Sequence, residues 1–273
     1  MTDYGSVDGV SATLDDVALR LELDRPAKRN AIDDVMMAGL IDAFDRAGRD
    51  EAVRVIVLSG AGEHFCAGAD IVARNATPDG TKPERPRVGS IQRRVPSLAH
   101  RLIPLLLTVQ TPIVCRVQGW AAGIGFQLAL AADFTVATDD ATFWEPFVER
   151  GFTPDSGATW LLPRLVGMTR ARELLLLGRS LTGREAAEWG VVHRSVAPAA
   201  IDAEVDALVA QLGRGPTVAL GLTKWLLRTG PSTDLEAQLQ NEALALELSS
   251  RSKDFGEGMA AFAAKRPPEF EGR

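Results

Sequence analysis

One stretch limits the folds open to this chain more than any other: Ile113 to Phe134, IVCRVQGWAAGIGFQLALAADF. The apolar run from Ile113 to Val117 has the length of a buried strand. Gly119, Trp120 and the small residues Ala121 to Gly125 follow, then Gln127-Leu-Ala-Leu-Ala-Ala, a run of good helix formers. Strand, small-residue bend and helix, in that order, put free backbone N–H groups at a helix start. Such groups hold negative charge, whether of a resting anion or of a transition state. The same residues also serve as a plain tight turn that packs helix closely on strand. A single Gly-x-Gly does not separate the two readings.

A second stretch repeats the arrangement. Val53 to Leu58 reads as a strand, Ser59-Gly-Ala-Gly turns the chain, and Glu63-His-Phe-Cys-Ala-Gly-Ala-Asp-Ile follows. Its small-residue bend is Ala67-Gly68-Ala69, with Asp70 expected at or near a helix start. The chain therefore offers two candidate N–H donors. Two donors converging on one oxygen form an oxyanion hole.

The remaining elements follow from periodicity. Val17 to Leu23 alternates apolar and polar, a half-buried strand. Asp24 to Asn30 is a loop set by Pro26, and Asn30 is the expected N-cap of the next helix. Ile32, Met36, Leu40 and Phe44 stand four apart on one face of it. Lys28 and Arg29 lie beside this junction, as site residues or as solvated loop charges. Residues 73–96 hold four prolines and several arginines, and read as an exposed or mobile loop near a site mouth or as a disordered insertion. Leu98 to Val109 reads as a helix. Phe134 to Ala137 is a strand, and Thr142 to Val148 an extended run carrying Trp144, Glu145 and Phe147. Pro154-Asp155 precedes a helical pattern, so Asp155 is either its N-cap or a chemical carboxylate. Met168 to Leu177 is a helix, Thr182 to Glu185 is a capping box, and Val191 to Val196 is a last strand. From Ile201 the pattern is helical to about Lys265, broken at 213–216 and 229–231. An apolar stripe there, Leu235, Leu239, Leu244 and Leu246, fits burial against another subunit or against its own domain.

Composition narrows the function. With 273 residues, 46% apolar and 24% charged, the chain suits one large globular domain with a helical appendage. A net charge of −6 argues against broad nucleic-acid binding, and any anionic ligand needs a local basic patch. The two cysteines, Cys66 and Cys115, sit in unrelated contexts, and three histidines show no metal-ligand spacing, so no metal site is expected. The polar, acidic start has no signal-peptide core, and no apolar run approaches a membrane span. A cytoplasmic protein without membrane partners is the expectation.

Six ordered stretches together carry a resemblance: RPAKRNAI (25–32), SGAGEHFCAGADI (59–71), VQGWAAGIGFQLALAADF (117–134), GFTPDSGATWLLPRLVG (151–167), LTGREAAEWGVV (181–192) and EGMAAFAAKRPPEF (257–270). The chain resembles the crotonase, or enoyl-CoA hydratase/isomerase, superfamily over nearly its whole length, nearest in motif to its isomerase-like members. The resemblance implies an α/β fold: a crotonase-like ββα spiral core over residues 1–200 that binds acyl-CoA, and a C-terminal helical trimerisation region over 201–273. It implies an acyl-CoA thioester as ligand, no separate cofactor since coenzyme A is part of the substrate, and a homotrimer or dimer of trimers. By position, the oxyanion hole is the backbone N–H of Ala69 and of Ile124, flanked by Ala67, Gly68, Asp70 and Ile71. Lys28 and Arg29 fall where the family contacts the CoA nucleotide. Phe262 and Lys265 match an adenine and phosphate contact near the C-terminus, sometimes supplied by a neighbouring subunit. These cations supply the basic patch that an acidic protein needs to hold a phosphate.

Two departures bear on the chemistry. Hydratases of this family use two glutamates, at positions filled here by Gln127 and Phe147. Gln127 has no titrating proton near neutral pH, and Phe147 only packs. Adding water across a double bond needs one group to take a proton and one to give it. A double-bond shift needs a single carboxylate, and Asp155 stands where family isomerases carry one. Trp120, Trp144, Phe147 and Trp160 either line an apolar pocket for a bulky acyl group or belong to the core. Two alternatives remain: a hydratase using Glu145 or Glu149 with Gln127, and a non-catalytic acyl-CoA binder. Glu145 and Glu149 are reserve candidates, each read first as a surface or ion-paired residue.

Overall fold

In the computed structural model, residues 4–70 and 87–273 are described. The strands are β1 (Val10–Asp15), β2 (Ala18–Leu23), β3 (Val55–Gly60), β4 (Ile113–Val117), β5 (Trp120–Ala122), β6 (Phe134–Thr138), β7 (Thr142–Trp144), β8 (Leu181–Thr182) and β9 (Arg194–Val196). The α-helices, numbered within the described residues, are α1 (Asp34–Ala47), α2 (Ser90–Arg94), α3 (Ala99–Thr108), α4 (Ile124–Ala131), α5 (Ala158–Leu176), α6 (Gly183–Glu188), α7 (Ile201–Gly213), α8 (Thr217–Thr229), α9 (Leu235–Ser249) and α10 (Lys253–Ala264).

The larger sheet runs β1-β2-β3-β4-β6-β9, antiparallel only between β1 and β2. The central strands β3 and β4 are covered on both faces, which is why they read as apolar runs, whereas β1, β2 and β9 carry polar, less buried positions. In β3, Ile56 and Leu58 face the main core with α1, α3 and α4, whereas Val55 and Val57 face a smaller core closed by Ile201, Val205 and Leu212 of α7. A second sheet, β5-β7-β8, stands apart from the first. The chain thus leaves the large sheet at the end of β4, enters the small one at β5, and returns at β6. That excursion positions the site.

The helices follow their local signals, with corrections. Ile32, Met36, Leu40 and Phe44 are fully buried, as their spacing predicts. The N-cap of α1 is Asp33, whose Oδ1 accepts the N–H groups of Val35 and Met36, and not Asn30. Asn30 stays fully buried with φ of 54°. Its Oδ1 accepts the Arg25 N–H at 2.8 Å, and its Nδ2 donates to Ala61 O at 2.9 Å and His64 O at 2.7 Å. The residue pins three loop segments where a helix cap was expected. The Thr182–Glu185 capping box opens α6. Of the loop expected over 73–96, residues 73–86 lie outside the described residues, and 90–97 form α2 and a 3-10 turn.

The C-terminal helices are anchored to the sheet. Lys224 of α8 donates from Nζ to Asp133 Oδ2 at 2.6 Å and to Thr111 O at 3.3 Å, and the same Asp133 oxygen accepts the Ile113 N–H that begins β4. Leu235, Leu239, Leu244 and Leu246 are all more than half exposed on the single chain, so burial against its own domain is not what the stripe does.

Asn30→Ala removes three hydrogen bonds from a closed site and leaves a left-handed backbone without its amide side chain. The loss expected is about 2–4 kcal/mol of unfolding free energy, read from denaturant unfolding of the two proteins.

Candidate active site

The two small-residue bends lie side by side because their flanking segments pair. Cys66 donates its N–H to Trp120 O at 2.8 Å and accepts the Ala122 N–H at 2.9 Å, a parallel bridge to Ala121. The spacing requires glycine. A Cβ on Gly125 would meet Cys66 O at 2.6 Å, and one on Gly68 would meet Ala122 O at 3.2 Å. Ala69 pairs with Ile32 through its neighbours, Ile32 N–H donating to Gly68 O and Asp70 N–H to Ile32 O. Its own N–H finds no acceptor among the described residues. The Ile124 N–H, in the first turn of α4, is likewise without one. Both expected donors are therefore unspent, one on each of two adjoining bends.

The carboxylates sort by environment. Glu145 is 1% exposed, and its two oxygens receive Gln127 Nε2 at 2.8 and 2.9 Å. Burial raises its pKa well above the usual carboxylate value; the Gln127 hydrogen bond opposes this and the nearby Asp155 charge adds to it. Glu145 is thus neither a surface nor an ion-paired residue. Asp155 is exposed, and its Oδ1 accepts the Ser156 Oγ–H at 2.9 Å. Its side chain caps no helix: α5 begins after Gly157, and only the Asp155 backbone carbonyl accepts an amide there. Ser156, buried with φ of 51°, is a contact that the sequence reading missed; the Pro-Asp-Ser-Gly run was its only signal. A cavity of about 450 Å³ borders this bend, lined by Ser156, Gly157, Trp160 and Leu161 on one side and Ile103 and Leu107 on the other.

Around this centre, Trp120 and Trp144 meet edge-to-face with centroids 5.9 Å apart, and the Arg150 guanidinium lies over Trp144. Phe147 is buried against Phe152. Trp160 is exposed at the cavity, with Arg164 stacked on it at 3.9 Å. Lys28 Nζ binds the buried Asp70 carboxylate at 3.0 Å, shared with Arg25 at 3.2 Å. Arg29 is exposed with no side-chain partner among the described residues, and Ala67, the first residue of the bend, donates its N–H to Arg29 O. Phe262 and Lys265, at the end of α10, are exposed. Glu149 is exposed beside Gly178. Ile71, and the helix expected after Asp70, lie outside the described residues. Metal-binding clusters of acidic, histidine or cysteine residues are absent among the described residues, and no helix of them is long and apolar enough to cross a membrane.

Because Glu145 titrates higher when folded than unfolded, the folded state holds a proton that the unfolded chain has released above about pH 4.5. Its contribution to stability is present below that pH and declines as pH rises toward the folded value. Glu145→Gln removes this dependence. Relative to wild type, the variant is expected to gain in Tm as pH is raised from about 5 to 9, measured by parallel thermal melts.

The chain matches a family model described as enoyl-CoA hydratase/isomerase over residues 15–273. It is 38% identical over 255 residues to 1,2-epoxyphenylacetyl-CoA isomerase of Escherichia coli (strain K12), covering 93% of this chain and 95% of that protein. It is 31% identical over 252 residues to crotonyl-CoA hydratase of Syntrophomonas wolfei subsp. wolfei, covering 92% and 93%. The fold superposes on an enoyl-CoA hydratase structure from Mycobacterium smegmatis with a TM-score of 0.87 at 30% identity, covering 96% and 98%. Matched over nearly its whole length in sequence and in fold, the chain belongs to the enoyl-CoA hydratase/isomerase family of the crotonase superfamily and is an acyl-CoA enzyme.

Proposed function

We propose that the protein shifts a double bond within an enoyl-CoA thioester, with Asp155 as the proton carrier. The observation that carries this reading is the contrast between the two neighbouring carboxyl groups: Glu145 is enclosed and held by Gln127, while Asp155 is exposed and bonded to the hydroxyl of the cavity-lining Ser156. In the reaction, the Asp155 carboxylate takes a proton from the γ carbon. The electron pair moves through the double bond onto the thioester oxygen. The N–H groups of Ala69 and Ile124 hold that oxygen, each worth about 3–4 kcal/mol in comparable sites. Asp155 then returns the proton to the α carbon, so nothing is gained or lost overall. Similarity to a protein named an isomerase supports this choice. The cavity, with Trp160 at its wall, leaves room for a bulky or aromatic acyl group.

The remaining assignments complete the reading. Lys28, fixed by Asp70, and Arg29 supply charge for the CoA phosphates. Phe262 and Lys265 act on the nucleotide end from a neighbouring subunit, and the exposed leucines of α9 are the face on which a trimer forms. Hydration remains a second reading, because a relative is named a hydratase. It would need Glu145 or Glu149 to exchange protons with water.

Asp155→Asn is expected to lower kcat for double-bond migration by about 10²–10⁴-fold with little change in KM, followed by absorbance on a panel of enoyl-CoA substrates. Migration that survives Asp155→Asn removes the reading. Loss of water addition in Glu149→Gln or Glu145→Gln, with Asp155→Asn intact, favours hydration. Binding of CoA thioesters without turnover of any panel member leaves only an acyl-CoA binder.

A further inference from the structure

A ring of hydrogen bonds encloses Gly123, the residue whose conformation aims the Ile124 amide. Gly123 has φ of 51° and ψ of −125°, a region where side chains other than glycine's are strained. Its N–H donates to Trp144 O at 3.0 Å, and its carbonyl accepts the N–H groups of Phe126 at 2.8 Å and Gln127 at 3.1 Å. The Gln127 side chain then reaches back to Glu145, the neighbour of Trp144 in the chain. Backbone of α4, side chain of Gln127, carboxyl of Glu145 and backbone of β7 close a loop. Rotation about ψ of Gly123 would swing the Ile124 N–H, and the loop opposes that rotation.

We propose that Glu145 is a positioning residue: by bonding Gln127 it closes the ring around Gly123 and so fixes the direction of the Ile124 N–H at the thioester oxygen. It does this as an uncharged group. A carboxylic acid and a primary amide match as a cyclic pair, the acid O–H donating to Oε1 and the amide N–H to the acid carbonyl. Gln127 Oε1 is a buried acceptor with no partner, the group that an acid O–H would satisfy in such a pair. The Asp155 charge nearby favours the same protonation state. Two carboxyl groups near one another thus differ in setting, Asp155 exposed beside the cavity-lining Ser156 and Glu145 enclosed behind the bend.

The inference rests on Ile124 serving the oxyanion, and the test separates it from the role of Asp155. Bound [1-¹³C]phenylacetyl-CoA, which has no double bond to move, reports carbonyl polarisation by its infrared stretch without turnover. Glu145→Leu is expected to move that stretch toward the free thioester and to lower kcat for migration by about 10–100-fold, with KM changed by less than about 3-fold. Glu145→Gln, neutral and of the same shape, is expected to restore both. Gln127→Leu removes the other half of the pair and must give the same carbonyl displacement, so the test stands where Glu145→Leu does not fold. An unmoved stretch in either leucine variant overturns the proposal, as does a Glu145→Gln enzyme as impaired as Glu145→Leu. Asp155→Asn should leave the stretch at its wild-type position, so failure of the proton-carrier reading shows in turnover alone.

Discussion

The Cys66–Ala121 bridge places two bends in contact, and the rest of the site depends on it. Hydrogen bonds between Cys66, Trp120 and Ala122 hold two chain segments in register. Register alone would not bring the bends together if side chains stood between them. Gly68 and Gly125 clear that space, and the backbone carbonyls they approach are rigid, not the ends of movable side chains. The result is two main-chain donors without an acceptor among the described residues. Keeping donors unspent in an interior is costly, and here each sits at a place where ordinary secondary structure leaves it free: a strand-like edge at Ala69 and a first helical turn at Ile124.

Charge is distributed with the same economy. Burial makes an ionised Glu145 unfavourable, and the Asp155 charge makes it more so. Glu145 is thus enclosed with its pKa raised, while Asp155 stays exposed beside the cavity-lining Ser156. Arg25 and Lys28 neutralise another buried acid of this region, Asp70. A chain of net negative charge can admit an anionic ligand only under such local arrangements.

Much of this was legible in the sequence, for physical reasons that can be named. Small residues after an apolar run marked both bends, because only small residues tolerate the close approach. The four-residue spacing marked α1. What the sequence did not disclose depends on partners distant along the chain. Glu145 stood among Trp144, Pro146 and Phe147, an apolar setting that hinted at burial, but its bond to Gln127 spans 18 residues and has no local signature. Asn30 and Asp33 both precede α1 and both suit a cap; the choice fell to Asp33 because Asn30 was claimed by three loop groups. Strand β1, VSATLD, lacks a run of apolar residues and is defined by its antiparallel partner β2. Phe262 and Lys265 are exposed on the single chain, and only the family resemblance gives them a ligand contact.

The tie between Lys224, Asp133 and the first amide of β4 has a mechanical meaning. That strand begins at this anchor and ends next to the bend that supplies Ile124. Helix α8 is thus coupled, through five residues of extended backbone, to the far edge of the reaction centre. Extended chain stretches little, so a displacement of the carboxyl-terminal helices is passed along β4 toward the bend that carries the Ile124 amide.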